Sequence, residues 1–275
     1  MPLKRRVATK EKPPSGGMLA LIDADIILYS ASADKTFYTC CGSVPFQYKK
    51  DMVNYCHDMN LPMEFIEKTI TPEPLSFCLH TIKSMIKNIM DKTGASSYRG
   101  FLTGKGNYRE DIDSRCPYKG QRSPDKPTHF YAARDYLITQ YGAETIDGAE
   151  ADDAMGWNQT DNTIILTLDK DLDQIKGKHF NWTKDKLYEV TQDEADRFLY
   201  HQILTGDNVD NIKGIKGVGP KTAEKLLQDA ATIEEMYTIC LEQYEQAGMD
   251  YYDLLENGNL LWIQRSPNQH WLPPL

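Results

Sequence analysis

"TIILTLDKD", residues 163–171, is a run of β-branched and aliphatic residues that ends in two aspartates. It is too short for a globular helix and has no polar face. It therefore reads as a strand buried on both sides, the habit of parallel sheets. "MLALIDA", residues 18–24, has the same form and places Asp23 near its end. Working outward, apolar spacing predicts helices over 74–93, 129–141, 149–157 and 192–204, with "YRGFLT" (98–103) and "AETI" (143–146) as strands between them. Strands alternating with helices predict an α/β fold with a mostly parallel central sheet flanked by helices, then a helical, turn-rich C-terminal part. The predicted divisions are a disordered basic tail at 1–17, a sheet domain at 18–190 with an aperiodic insertion at 33–73, and a helical part at 191–275. In such sheets ligands bind beyond the carboxyl ends of the strands, where Asp23 and Asp169 fall.

The 275 residues are 40% hydrophobic and 26% charged, as in ordinary globular proteins, and no apolar run approaches a membrane span. The basic N-terminal tail lacks the apolar centre of a signal peptide. Six cysteines are too few for a disulfide scaffold, which predicts a reducing, cytoplasmic setting. Cys40, Cys41, Cys56 and His57 do not match zinc-finger spacing, so buried or free thiols are the better reading. The net charge of −9 argues against a nucleic-acid partner unless the acids are localised, and many are. They fall in "DAD" (23–25), "EADD" (150–153), "DKD" (169–171) and "DNVD" (207–210).

Acids also cap helices and decorate surfaces, but two of these clusters follow buried strands. Glu150 and Asp153 stand three apart, as do Asp207 and Asp210, so each pair would share a helical face. Converging carboxylates stay ionised only where cations neutralise them, and hard oxygen ligands suit magnesium or manganese. Two such ions can stabilise the attacking and leaving oxygens of phosphodiester hydrolysis. No GxSxG, Walker A or histidine-rich pattern offers another chemistry.

"GDNVDNIKGIKGVGPKTAEKLL", residues 206–227, supplies the complement. Gly217 and Gly219 allow a tight hairpin and a close approach of backbone to a phosphate. Pro220 suits the first turn of a helix, whose start attracts anions. Lys213, Lys216, Lys221 and Lys225 add counter-charge, and nothing here reads base edges.

In this order, "LIDAD", "EADD", "LTLDKDLDQI" and "GDNVDNIKGIKGVGPKTA" resemble the 5′-nuclease superfamily over about residues 18–230. That superfamily includes flap endonucleases, the 5′-nuclease domain of bacterial DNA polymerases and bacteriophage 5′→3′ exonucleases. The resemblance implies a PIN-like sheet domain and a helix–three-turn–helix. It implies a metal-dependent 5′→3′ exonuclease or flap endonuclease acting on DNA 5′ ends, flaps and duplexes. Two magnesium ions, with manganese as a substitute, would serve the reaction, and a potassium ion would sit at the hairpin. Asp23, Glu150, Asp152 and Asp153 would surround the first metal, and Asp169, Asp171, Asp207 and Asp210 the second. Gly214, Lys216, Gly217, Gly219, Lys221 and Thr222 would grip the duplex. Residues 104–128 would form a helical arch or clamp, in which Tyr108 stacks on a base while Arg109, Lys119 and Arg122 steer the strand. Lys119 and Arg122 would also stabilise the reacting phosphate.

Two features depart from that pattern. Many family members place an aspartate after the strand at 98–103, where this chain has Gly104. Asp25, Asp111, Asp113 or a water would then substitute. The insertion at 33–73 is the second departure. Two other readings follow: a structure-specific DNA-binding protein with impaired catalysis, and a nuclease whose main substrate is the RNA of RNA–DNA hybrids. The C-terminal "LLWIQRSPNQHWLPPL" is expected to pack back on the domain through Trp262 and Trp271.

Overall fold

The computed structural model describes residues 17–274. The tail expected to be disordered lies, but for Gly17, outside the described residues. Strands are β1 (Leu19–Asp23), β2 (Lys35–Cys40), β3 (Ile66–Thr71), β4 (Ser97–Asn107), β5 (Glu144–Gly148), β6 (Thr163–Leu166), β7 (Gly177–Asn181) and β8 (Lys186–Val190). Helices are α1 (Ala24–Ser32), α2 (Lys49–Asp58), α3 (Leu75–Thr93), α4 (Phe130–Tyr141), α5 (Ala151–Asn158), α6 (Gln192–Thr205), α7 (Pro220–Leu227), α8 (Ile233–Gln246) and α9 (Tyr251–Leu261). No described helix is long and apolar enough to cross a membrane.

The chain divides into two compact units. The first comprises Met1–Ile26, Ile89–Pro124 and Tyr141–Leu275, as far as these are described. It holds a six-stranded sheet in the order β5-β4-β1-β6-β7-β8. All neighbours are parallel except β7 and β8. As expected, β1 and β6 are central and buried, with Ala20, Leu21, Ile164 and Ile165 almost wholly removed from water. Their register sets Leu19 opposite Thr163 and Asp23 opposite Phe101, so the ends of β1, β4 and β6 share one edge.

The helices after β8 fall in this same compact unit. α6 starts in a capping box in which Thr191 accepts from the Glu194 N–H and Glu194 accepts in return. Leu199, Ile203, Leu204, Ala223, Met236, Cys240, Tyr244 and Leu254 form one core across α6–α9. The segment after α9 lies back on the sheet half. Gln174 donates to the Leu261 carbonyl at 2.8 Å, and its oxygen accepts from the Ile263 N–H at 3.2 Å. Trp271 lies against the bare face of Gly258, where a Cβ would overlap the indole. The expected packing of Trp262 and Trp271 is thereby met, for both are buried.

The second unit comprises Ile27–Asn88 and Asp125–Gln140. The insertion that shows no period in sequence is an antiparallel β2–β3 hairpin with α2 between its strands. Cys40, Met52 and Cys56 form its small core. All six cysteines are free.

Candidate active site

The acids of β1, α5 and β6 meet at the carboxyl edge of the sheet, where each strand end turns a side chain back on local backbone. Asp23 is buried; its Oδ1 accepts from the Ile26 N–H at 3.0 Å and its Oδ2 from the Thr167 hydroxyl at 2.9 Å. Asp169 caps the short turn after β6 by accepting from the Asp171 N–H at 2.9 Å. Asp171 accepts from the Gln202 amide of α6 at 2.8 Å, which couples the helical half to this edge. Asp152, in the first turn of α5, makes no hydrogen bond among the described residues, although Asp23, Asp169 and Glu150 all act on its charge.

Crowding shows in the acidity of these groups. Burial, then the charges of Asp25 and Asp169, pushes Asp23 up to about 7. Burial, then Asp169 and Asp207, pushes Asp171 up to about 7. Asp152 is raised well above the usual carboxylate range by burial and then by Asp23. Glu150 goes the other way: burial raises it, but the charges of Lys119 and Arg109 hold it below its ordinary value.

The loop after β4 carries the cations. Lys119 pairs with Glu150 and lies 3.7 Å from Asp210, and Arg122 pairs with Asp210 at 2.5 Å. The Tyr118 hydroxyl lies 3.1 Å from both Glu150 Oε2 and Asp210 Oδ2. Asn107 donates to Glu150 Oε1 at 2.9 Å. Asp207 serves its own turn, accepting from the Val209 N–H at 2.6 Å.

Several expected roles do not survive this geometry. Asp153 is wholly buried. It forms a two-pronged ion pair with Arg109 at 2.8 and 2.9 Å. It also accepts from the Glu150 N–H at 3.0 Å and the Gln264 N–H at 2.9 Å, so its lone pairs are committed. Arg109, 2% exposed, also donates to the Leu260 and Trp262 carbonyls, so it is buried in the interior and not presented to a strand. Tyr108 donates to the Trp262 carbonyl at 3.1 Å, with the Arg109 guanidinium over its ring and His270 at its edge, so it is not offered to a base. Residues 104–128 comprise the end of β4, one short 3-10 turn at Tyr108–Asp111 and then irregular loop, not a helical arch.

Gly104 is not a lost ligand. A Cβ there would overlap Asp147 Oδ1 and the Ile146 carbonyl of β5, so no carboxylate fits. Thr103 instead borders the acids: its hydroxyl accepts from the Ala151 N–H at 3.0 Å, and its own N–H donates to Asp25 at 2.9 Å. Asp25 acts on the charge of Asp23 directly, whereas neither Asp111 nor Asp113 does.

Sequence reasoning missed Tyr118, Asn107, Thr167 and Gln202. For Tyr118 a signal existed, its place beside Lys119 in the basic loop. The other three carry no local signature.

The hairpin has the expected form. Gly217 has φ +86°, Gly219 precedes α7, and Pro220 occupies its first turn. The bare face of Gly214 meets the Thr205–Gly206 backbone, where no Cβ fits. Lys216, Lys221 and Thr222 are exposed, and neither lysine carries an ion pair among the described residues.

The donor set of the acidic edge, buried and half-buried carboxylates that repel one another, fits a hard divalent ion. It is not closed into a cage. Among the described residues no three acidic, histidine or cysteine side chains are arranged to hold a metal ion. Glu150 and Asp210 are engaged by Lys119, Arg122 and Tyr118 instead.

Residues 194–257 match the family model described as the C-terminal SAM fold of 5′–3′ exonuclease. The chain is 36% identical over 165 residues to DNA polymerase I of Caldicellulosiruptor bescii, covering 50% of this chain and 18% of the polymerase. It is 31% identical over 159 residues to a 5′–3′ exonuclease of Bacillus subtilis, covering 48% of this chain and 52% of that protein. With that of Mycoplasmopsis pulmonis the identity is 28% over 176 residues, covering 57% and 58%. The chain thus spans less than two thirds of the length of each of these relatives. Among solved structures, the fold is similar to that of a T5 5′-exonuclease with bound zinc, at a TM-score of 0.58, 15% identity and 88% coverage of both chains. A bacteriophage T5 flap endonuclease in a pseudo-enzyme-product complex with DNA and metal ions gives 0.57, again at 15% identity and 88% coverage of both. Over about half its length the chain is similar to 5′–3′ exonucleases, the resemblance its motifs carry.

Proposed function

We propose that the chain is a metal-dependent 5′→3′ nuclease that hydrolyses phosphodiester bonds at or near DNA 5′ ends, on flaps and duplexes. The observation that carries this reading is the meeting of Asp23, Asp152, Asp169 and Asp171 at one sheet edge, where burial and mutual repulsion push the pKa of Asp23, Asp152 and Asp171 up. Asp23, Glu150 and Asp152 would hold one ion, and Asp169 and Asp171, with Asp207 and Asp210, a second. Asp153 is excluded by its pairing with Arg109. Magnesium, or manganese in its place, would supply an activated water and charge neutralisation at the attacking and leaving oxygens. No protein nucleophile is then required. Lys119 and Arg122 now neutralise Glu150 and Asp210; a substrate phosphate would take over these cations and release the two carboxylates for metal binding. The hairpin would grip a duplex strand without reading sequence, through Lys216, Lys221 and Thr222 and the close backbone at Gly214, Gly217 and Gly219. A potassium ion at the hairpin belongs to the same reading. Relatives named 5′–3′ exonuclease, and a T5 neighbour with DNA and metal ions, support it. Free thiols agree with a cytoplasmic setting.

Asp169→Asn is expected to abolish cleavage of a labelled 5′-flap duplex while leaving its binding in chelator intact. Full activity in that variant would sink the site assignment. The second reading, DNA binding with impaired turnover, draws on the engagement of Glu150 and Asp210 by cations. It predicts salt-sensitive binding and no products in either metal. Comparing rates on RNA–DNA hybrid and DNA duplex tests the primer-removing reading.

A further inference from the structure

The insertion carries a feature that the acidic edge does not use. Strand alternation places Tyr38 and Cys40 of β2 with Lys68 and Ile66 of β3 on one face, and Cys40 packs with Met52 and Cys56 of α2. Beside this core lies a groove of about 430 Å³ lined by Tyr38, Lys49, Val53, Met63, Ile66 and Lys68. That volume falls in the range of small-ligand sites, roughly 300–1,000 Å³.

Its only charged lining residues are two lysines, and neither has an ion pair or side-chain hydrogen bond among the described residues. In a chain of net charge −9, two unpaired lysines in one groove form a local positive site. Lys49 is also the first residue of α2; Tyr48 before it supplies no side-chain cap, and Asp51 stands in the same first turn. The rest of the lining is apolar or aromatic. Met63 of the lining is 51% exposed, and Tyr48, which precedes Lys49, is 64% exposed, while Glu67 precedes Lys68.

Flat apolar surface interleaved with cations suits a ligand that carries both bases and phosphates. A duplex hides its base faces, whereas a single strand offers them. No amide or carboxylate side chain lines the groove, so base edges would go unread. We propose that this groove is a second, sequence-independent seat for single-stranded nucleic acid, with phosphates at Lys49 and Lys68 and a base against Tyr38, Met63 and Ile66. The proposal rests on the nucleic-acid reading above but not on catalysis.

The test uses the full chain in chelator, so that a failure of nuclease activity does not bear on it. Fluorescence anisotropy would follow a labelled 12-mer of thymidylate, an abasic 12-mer and a blunt duplex. Lys49→Glu with Lys68→Glu is expected to weaken the thymidylate complex at least tenfold. Its salt dependence should fall by about 1.4 in log–log slope, near 0.7 per lost phosphate contact. Duplex binding should change less than twofold. Because both positions are exposed, the circular dichroism and melting temperature of the variant should match the parent. The milder Lys49→Gln with Lys68→Gln variant should lose affinity in the same order if the reversal variant misfolds. The abasic strand should bind the parent more weakly than thymidylate does. Unchanged single-strand binding in a folded variant, equal losses on single strand and duplex, or equal binding of abasic and thymidylate strands would overturn the proposal. So would a Lys-dependent complex with an acidic, phenylalanine-bearing peptide in the absence of one with thymidylate.

Discussion

Arg109 and Asp153 illustrate how one contact reassigns two residues. Both charges are buried, and each satisfies the other through two hydrogen bonds. Removing one partner of a buried pair leaves the other charge without compensation and typically costs about 3–5 kcal/mol. Arg109→Leu should therefore lower unfolding stability by about that amount, measured by urea denaturation. A loss well under 1 kcal/mol would place Arg109 on the surface, in the strand-steering role expected from sequence. Spacing misled here for a definite reason. Residues three apart share a face inside a helix, but Glu150 is the N-cap of α5, and Asp153 turns back to accept its N–H. The partner that fixes Asp153, Arg109, lies 44 positions away, and nothing local in the sequence reports it.

At the scale of elements, β1 and β6 were legible because each is a continuous apolar run that ends in acid. β2, β3 and α2 were not, since a two-stranded sheet leaves much of its surface in water and needs no strict alternation. The paired strands β7 and β8 were also missed; β8 is an edge strand with an almost entirely accessible run of mixed polarity. The end of β4 gives the sharpest test of an element. It passes β5 so closely at Gly104 that the aspartate common in the family has no room. Gly104→Asp should thus fail to raise nuclease activity and should lower stability by about 1–3 kcal/mol, the usual range for overpacking. A folded variant with higher kcat would show that a missing ligand had been restored.

For the molecule as a whole, the acidic edge makes stability depend on pH, and a divalent ion bound there would alter that dependence. Asp23 and Asp171 are pushed up to about 7 in the folded protein, against about 3.9 for an unfolded aspartate. Between these values the folded chain holds protons that the unfolded chain has released, so this contribution to stability is lost as pH rises through 7. His179, held below its ordinary value by burial, acts in the opposite sense below about 6.5, but it is one group against several. In chelator the melting temperature should be lower at pH 8 than at pH 5.5. Asp171→Asn should flatten that slope, and added magnesium should raise the melting temperature most at pH 8. A melting temperature that climbs steadily from pH 5.5 to 8 in chelator would contradict the crowding of these carboxylates.

The central claim, that this acidic edge is a metal-dependent 5′-nuclease site, is tested most directly on a 5′-flap duplex labelled at either end. The substrate would be incubated with magnesium, with manganese and with chelator. The account predicts short 5′ products with either metal and none in chelator. Tight binding of the flap with no product in either metal would contradict it.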